Sequence, residues 1–286
     1  MLFRSISKKD PAGLNIKENL LKLFPFKETD EKFDNNSVYQ LNNIKIYTTE
    51  KESIYCENID KKISSFWDGR MGVEGGQTNH PDLIIFATKH QSESRINSLS
   101  VHAPGNWSKA EFGGKDNQLC VAPASLLKTA LLKLEELAQS TDFKIIQECT
   151  HHGPYLEKPC MFIEIGSDLE QWHNKEAGKL IAKTIMFILT AKTPEYKTAV
   201  GIGGLHHTPI FKKVMLSTNY AFGHVCPKYN LENLNKKMIQ QAIIKTQEKV
   251  DLIVLDWKGL GQHKEKVVNI LNELNLKYKK AKELYK

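Results

Sequence analysis

The sequence predicts an α/β fold, with a mixed, mostly parallel sheet between helical layers. Three observations carry that prediction. Short apolar runs of strand length alternate with longer stretches at helical spacing. Several of the short runs are β-branched and apolar at consecutive positions, as in strands buried on both faces. The longer stretches open on recognisable helix-start signals.

In chain order, the strand-length runs are residues 2–6, 44–48, 82–87, 98–102, 143–148, 160–165, 198–202, 219–223 and 250–255. Residues 123–139 read as a helix with Pro123 at its first position and Leu127, Leu131, Leu134 and Ala138 on one stripe. Residues 168–191 follow Ser167, with Glu170 three positions on, a capping-box pattern; Leu180, Ile181, Ile185, Ile188 and Leu189 face inward. Residues 233–247 and 262–275 read as two more helices, the last with Val267, Ile270, Leu271 and Leu274 aligned. Two stretches break the rhythm: a polar excursion at 27–43 and a Gly-rich loop at 68–81. The terminal KYKKAKELYK reads as a solvated helix end or as a basic tail for RNA. The expectation is one domain over 1–286, with those two stretches as insertions.

The chain has 286 residues, 41% hydrophobic and 26% charged, which fits an ordinary water-soluble globular protein. A net charge of +7 permits a polyanionic partner without requiring one. The five cysteines are scattered and form no CxxC, so a disulfide framework is not expected and a reducing, cytoplasmic setting is. The longest apolar run, at 184–191, is too short to span a bilayer, which takes roughly 20 residues.

The chemistry gathers where strands end. Lys89 and His90 follow LIIFAT, and His102 closes LSVH ahead of a Pro-Gly turn and Trp107. His151 and His152 follow IIQECT, His206 and His207 follow VGIGGL, and His224 lies in YAFGHVC. Parallel strands would bring these ends to one rim, where open α/β sheets bind ligands. Imidazole is the commonest metal ligand, but no HExxH or paired CxxC is present. His151 and His152 can share an ion only if the backbone leaves extended geometry there, which Gly153 and Pro154 favour. Glu164 interrupts an apolar strand, so it is either paired or coordinated, or it lies near an exposed strand end. GIGG at 201–204 has His206 where a dinucleotide fingerprint needs glycine; its Gly203 and Gly204 suit close backbone approach to a ligand, or amide donation to an oxyanion.

KDPAGLNIKENLL (9–21), TKHQSES (88–94), VHAPGNW (101–107), THHGP (150–154), FIEIGS (162–167), VGIGGLHHTP (200–209), GHV (223–225) and KY (228–229) together resemble the archaeal and plant type of D-aminoacyl-tRNA deacylase, in order and over most of the chain. Beside His206, Leu205 and His207 stand where that pattern usually has a small residue and often tyrosine. The resemblance implies a three-layer α/β/α sandwich similar to phosphorylases and peptidyl-tRNA hydrolases. It implies hydrolysis of the ester of D-aminoacyl-tRNA, aldehyde-modified forms included, with zinc as cofactor. The implied partner is the tRNA acceptor end, met by a monomer with no membrane and no obligate protein partner. On this reading His151, His152, Glu164 and His206 form the centre, as catalytic groups and as ligands of any metal. Lys89, His90, His102 and Asn106 line the pocket or meet the terminal nucleotide. Trp107 either stacks on adenine or belongs to the core. Lys212 and Lys213 either contact acceptor-stem phosphates or are solvated. From the residues alone, a metal-dependent peptidase, a peptidyl-tRNA hydrolase and a non-catalytic tRNA-binding module compete with this reading.

Overall fold

The computed structural model describes residues 2–68, 81–93 and 95–285, so the Gly-rich loop expected at 68–81 lies almost wholly outside the described residues. The chain runs β1 (Leu2–Ser7), α1 (Pro11–Leu23), β2 (Lys27–Phe33), β3 (Asn36–Leu41), β4 (Ile44–Thr49), α2 (Ile59–Asp68), β5 (Leu83–Gln91), β6 (Ser98–His102), β7 (Gly105–Asn106) and β8 (Gln118–Leu119). It continues through α3 (Ala124–Leu137), β9 (Lys144–Gln147), β10 (Cys160–Ser167), α4 (Leu169–Trp172), α5 (Lys175–Thr190), β11 (Lys197–Ile202) and α6 (Pro209–Ser217). The last part is β12 (Tyr220–Cys226), α7 (Lys236–Ile244), β13 (Val250–Leu255), α8 (Lys264–Glu273) and β14 (Tyr278–Lys280).

Among the described residues, eight strands form one mixed sheet in the order β2-β3-β4-β1-β5-β10-β6-β9. β10 is its pivot, parallel to β5 on one side and antiparallel to β6 on the other. One face, through Ile85, Ala87, Met161, Ile163 and Ile165, packs under α1, α3 and α5 in the main apolar core. Each fully buried Leu or Ile there contributes roughly 1.5–3 kcal/mol. Helix α1 starts on Asp10, whose side chain accepts from the Gly13 amide, with Pro11 in the first turn. Gly13 lets the helix lie against β5, since a Cβ there would stand 2.8 Å from the Ala87 carbonyl oxygen.

A second sheet, β12-β11-β13-β14, is parallel throughout. Leucine and isoleucine of α7 and α8 cover one face with Val200, Ile202, Ile253 and Leu255. Phe211 and Val214 of α6 pack on the other with Ala199, Phe222 and Val254, continuous with the main core. The α/β/α layering is therefore realised around this sheet.

All nine expected strands are present. The polar excursion at 27–43 is instead the β2–β3 hairpin, turned by Asp34 (φ 47°) and Asn35 (φ 60°). Its charge is accommodated because Glu31 pairs at 3.1 Å with the buried Lys45 of β4. The helix expected over 168–191 is two helices. Asp168, not Ser167, caps α4 through the Gln171 amide, and Asn174 caps α5 through the amides of Glu176 and Ala177. Pro123 precedes α3 as its cap rather than opening it. KYKKAKELYK does not end a helix; it supplies β14, which extends the second sheet.

Candidate active site

The site is built on a sheet face, not along one carboxyl edge. β6 runs against β5 and β10, so the ends bearing His90 and His102 point opposite ways. The register brings them together nonetheless. Glu164 pairs with Thr88 on one side and Ser100 on the other, Gly166 pairs with His90, and Phe162 pairs with His102. Residues two apart on a strand share a face, so Thr88, His90, Ser100, His102, Phe162 and Glu164 form one patch, opposite the helices. Glu164, 3% exposed, stands at its middle. It accepts from the Thr88 hydroxyl at 2.8 Å and lies 3.4 Å from His90 Nδ1 and 3.7 Å from His102 Nε2.

The second sheet closes the site from above. Its parallel strands place their following loops on one side, so His206 after β11 and Tyr229 after β12 arrive together. Segment 148–152 lies between the sheets, its Cys149 amide on the His206 carbonyl and its Thr150 amide on the Val225 carbonyl. His152 adopts φ 42°, so the backbone does leave extended geometry and both imidazoles of the pair face the cluster. The rings of His151 and His152 lie 4.3 Å apart, and His151 lies 4.3 Å from His102 and 4.4 Å from His206.

Sequence reasoning missed the other buried acid. Glu148, 1% exposed, holds His206 Nε2 at 3.2 Å, His90 Nδ1 at 3.4 Å and His151 Nε2 at 3.6 Å. The signal was present, since Glu148 follows an apolar strand as Glu164 interrupts one. Also missed were Cys149, 3.5 Å from His206 Nδ1, and Tyr229, whose hydroxyl lies 3.2 Å from the same nitrogen. Asp10 joins the rim, accepting from the Gly13 and Lys89 amides, and burial pushes its carboxyl up to about 6.

The electrostatics divide the histidines. Burial opposes charge on both acids, yet the imidazoles of His206 and His90 hold Glu148, and those of His102 and His90 hold Glu164, below the usual carboxylate range. Burial likewise opposes charge on His90, but Glu164 and Glu148 outweigh it and hold it up at about 9. His206 is held at about 10 by Cys149 and Glu148 against the same penalty. His151 and His152 go the other way. Burial and neighbouring imidazoles push His151 well down, and His152 to about 4, so both are neutral near pH 7.

These neutral rings suit a metal ion. His151 Nδ1 lies 3.0 Å from the Cys149 carbonyl, His152 Nδ1 2.6 Å from Gly153 and His102 Nδ1 3.2 Å from Ala103. In His151 and His152, Nδ1 therefore carries the proton and leaves Nε2 with a lone pair. Ligand atoms of His102, His151 and His152 lie within 4.8 Å of one another. His102 Nε2 and Glu148 Oε1 are buried without a hydrogen-bond partner. The bare His151 Nε2 faces a Glu148 carboxylate oxygen at 3.6 Å. Two donors bound to one tetrahedral ion at ~2.0–2.1 Å stand roughly 3.3 Å apart, so a cation relieves this lone-pair opposition. Glu148, Glu164 and His102 form a further possible donor group, as do Cys149, His151 and His206.

Two clefts, of about 460 and 420 Å³, open on the cluster and share Phe112, His151, His152 and His206. Asn106 lines the first; Lys89 lines the second, 3.7 Å from Glu52. Other expected site residues are engaged within the chain. Trp107 borders the first cleft but is 2% exposed and donates to the Val225 carbonyl, so most of its ring is core. Gly203 gives its amide to the Cys226 carbonyl, and Gly203 and Gly204 pack against Asp256, so their close approach is to the chain itself. Lys212 is bound to the Ile145 carbonyl and Glu135, and Lys213 lies over the Tyr285 ring. His224 is buried away from the cluster. Its Nε2 faces the carbonyls of Cys120 and Lys245, and its Nδ1 faces the Thr150 hydroxyl.

Comparison with known proteins agrees with this arrangement. A family model described as D-aminoacyl-tRNA deacylase matches residues 77–279. The D-aminoacyl-tRNA deacylase of Pyrococcus furiosus is 41% identical over 275 residues, covering 95% of this chain and 97% of that protein. That of Archaeoglobus fulgidus is 33% identical over 282 residues, covering 96% of each. The crystal structure of AF0625, a conserved protein of unknown function, superposes with a TM-score of 0.87 at 31% identity, covering 99% of this chain and 96% of that one. By family model and by near full-length similarity, this chain belongs to the D-aminoacyl-tRNA deacylase family.

Proposed function

We propose that this chain hydrolyses the ester of D-aminoacyl-tRNA, releasing free tRNA and the D-amino acid. The observation that carries this reading is the meeting of two clefts at His151, His152 and His206. An aminoacyl ester has a nucleoside on one side of its carbonyl and an amino acid on the other. Two hollows with reactive groups between them match that shape. The relatives that share this chain over nearly its whole length are named for the same activity.

The division of charge assigns the roles. A neutral ring, His151 or His152, takes a proton from the attacking water and returns it to the departing ribose oxygen; such help contributes about 10²–10⁴-fold. His90 and His206, held protonated by Glu164 and Glu148, present N–H groups and positive charge to the carbonyl oxygen as it becomes an oxyanion. A donor of that kind is worth about 10²–10³-fold. His102, His151 and His152, with Glu164 or Glu148, would hold a zinc ion; with the Nε2 lone pairs so committed, the ion would supply Lewis acidity and a water of pKa about 7 in place of the general-base help of these rings.

Among the described residues no helix is long and apolar enough to cross a membrane. A substrate made for translation supports a cytoplasmic reading, and both sheets contribute to the site, so we read the chain as one catalytic unit. Release of labelled amino acid from D- and L-aminoacyl-tRNA, followed in parallel, tests the proposal. D-aminoacyl-tRNA is expected to be cleaved on the order of 10²-fold faster. Equal rates, or no release from either, would sink it. Elemental analysis of the purified protein tests the metal separately.

A further inference from the structure

The two clefts differ in chemistry, and the difference orients the substrate. We propose that the first cleft seats the terminal adenine of the tRNA, with Phe112 as its stacking surface, while the second receives the amino acid. This rests on the deacylase reading and refines it.

Phe112 is 61% exposed and Tyr229 is 55% exposed, and both line the first cleft from separate segments. An exposed phenylalanine is ordinarily a mobile surface group; the backbone that carries this one is fixed. Its carbonyl accepts from the Gly153 amide at 2.9 Å. Gly113 (φ 70°) and Gly114 (φ 82°) turn the chain directly after it. A Cβ on Gly113 would stand 1.9 Å from the Ile54 carbonyl oxygen. Asn106 donates to the Gly113 carbonyl at 2.9 Å, and Glu57 accepts from the Gly114 amide at 2.7 Å. The ring is therefore held out to solvent by a tightly specified loop, so a base stacked on it loses little to ordering the protein.

The same cleft offers amide groups for the edge of a base. Ser108 occupies the Asn230 side-chain oxygen at 2.9 Å and leaves its NH₂ as a donor, and Asn233 lies beside it. Asparagine matches the donor and acceptor edge of adenine. The second cleft is lined by three carboxylates, Asp10, Glu52 and Glu164, against Lys89 and His90, with Phe112 as its one phenyl ring. Carboxylates suit the ammonium of an amino acid and offer nothing to a purine face. With the base on one side and the ammonium on the other, the ester falls on the three histidines common to both clefts.

The test compares Phe112→Ala with the parent and with Phe112→Trp. Binding of the trinucleotide CCA is expected to weaken about tenfold in Phe112→Ala and to return in Phe112→Trp. KM for D-aminoacyl-tRNA should rise by a similar factor with kcat changed less than threefold. The advantage of D-aminoacyl-tRNA over a D-amino acid methyl ester, which has no base, should shrink accordingly. Parental CCA affinity in Phe112→Ala, or equal loss on the methyl ester and on tRNA, overturns the assignment while leaving the deacylase reading intact. Should the parent release no D-amino acid from tRNA, the deacylase reading fails by itself, and the CCA titration still decides where the base sits.

Discussion

The two His-His corners have the same dipeptide and opposite chemistry. At His151–His152, the left-handed turn at His152 delivers both rings to the interior. Each gives its Nδ1 proton to a nearby main-chain carbonyl, and burial keeps both neutral. At His206–His207, His206 meets Glu148 and Tyr229 instead of carbonyls, while His207 borders the cluster with its ligand atom within 4.8 Å of those of His90 and Glu148. His206 is held protonated, whereas burial lowers the half-buried His207. A buried imidazole stays neutral where burial prevails over its acceptors, as at His151 and His152, and is charged where a hydrogen-bonded carboxylate helps outweigh burial, as at His206.

Alanine substitution breaks the comparison most directly. His151→Ala should lower kcat on D-aminoacyl-tRNA by about 10²-fold or more and reduce bound metal in parallel. His207→Ala should stay within about fivefold, because His207 is only half-buried at the rim and Glu148 is already engaged by His206. Similar losses in both variants would mean that the corners are equivalent. Next in size, Glu148→Gln removes the charge that His206 and His90 face and should cost about 3 kcal/mol in urea unfolding. That is the lower end for a broken buried pair, because His206 is partly screened by solvent. Unchanged stability would show that these rings are neutral.

The smallest effect isolates a histidine outside both corners. Burial drives His224 down to about 4, so the folded protein excludes a proton that the unfolded chain binds below about pH 6.5. Its contribution is fully present above that pH and is lost as the pH falls toward 4, amounting to about 2 kcal/mol by pH 5. In His224→Gln the acid slope of stability should flatten by that amount, whatever happens to the baseline at neutral pH. An unaltered slope would mean that His224 is protonated in the fold.

Much of this was legible in the sequence, and the misses have causes. The strands stood out because both faces of their sheets are covered. The β2–β3 hairpin did not, because its residues are polar and its buried ion pair joins Glu31 to Lys45 on another strand. Its two turn residues at positive φ fall in DNN, a hairpin signal that charge obscured. Helices α1 and α6 each begin with proline, after Asp10 and Thr208, but are short and interleaved with motif residues. The site histidines were legible as a repeated pattern at strand ends. Their convergence was expected from parallel strands, whereas it comes from one sheet face and one sheet edge. Glu148 was passed over because a charge at the end of a strand is ordinarily solvated, although the apolar run before it was a signal. Trp107, Lys212 and Lys213 look identical in sequence whether free or engaged, and only the packing distinguishes them.

The ladders that flank β10 carry one more implication. Sliding that strand by a single position would turn Ile163 or Ile165 toward the clefts and drive the Glu164 carboxylate in among the helices. Misalignment at this point thus cannot yield a well-folded but inert protein. The hydrogen bonds that keep the sheet's spine in step also guarantee that every correctly assembled molecule is chemically equipped.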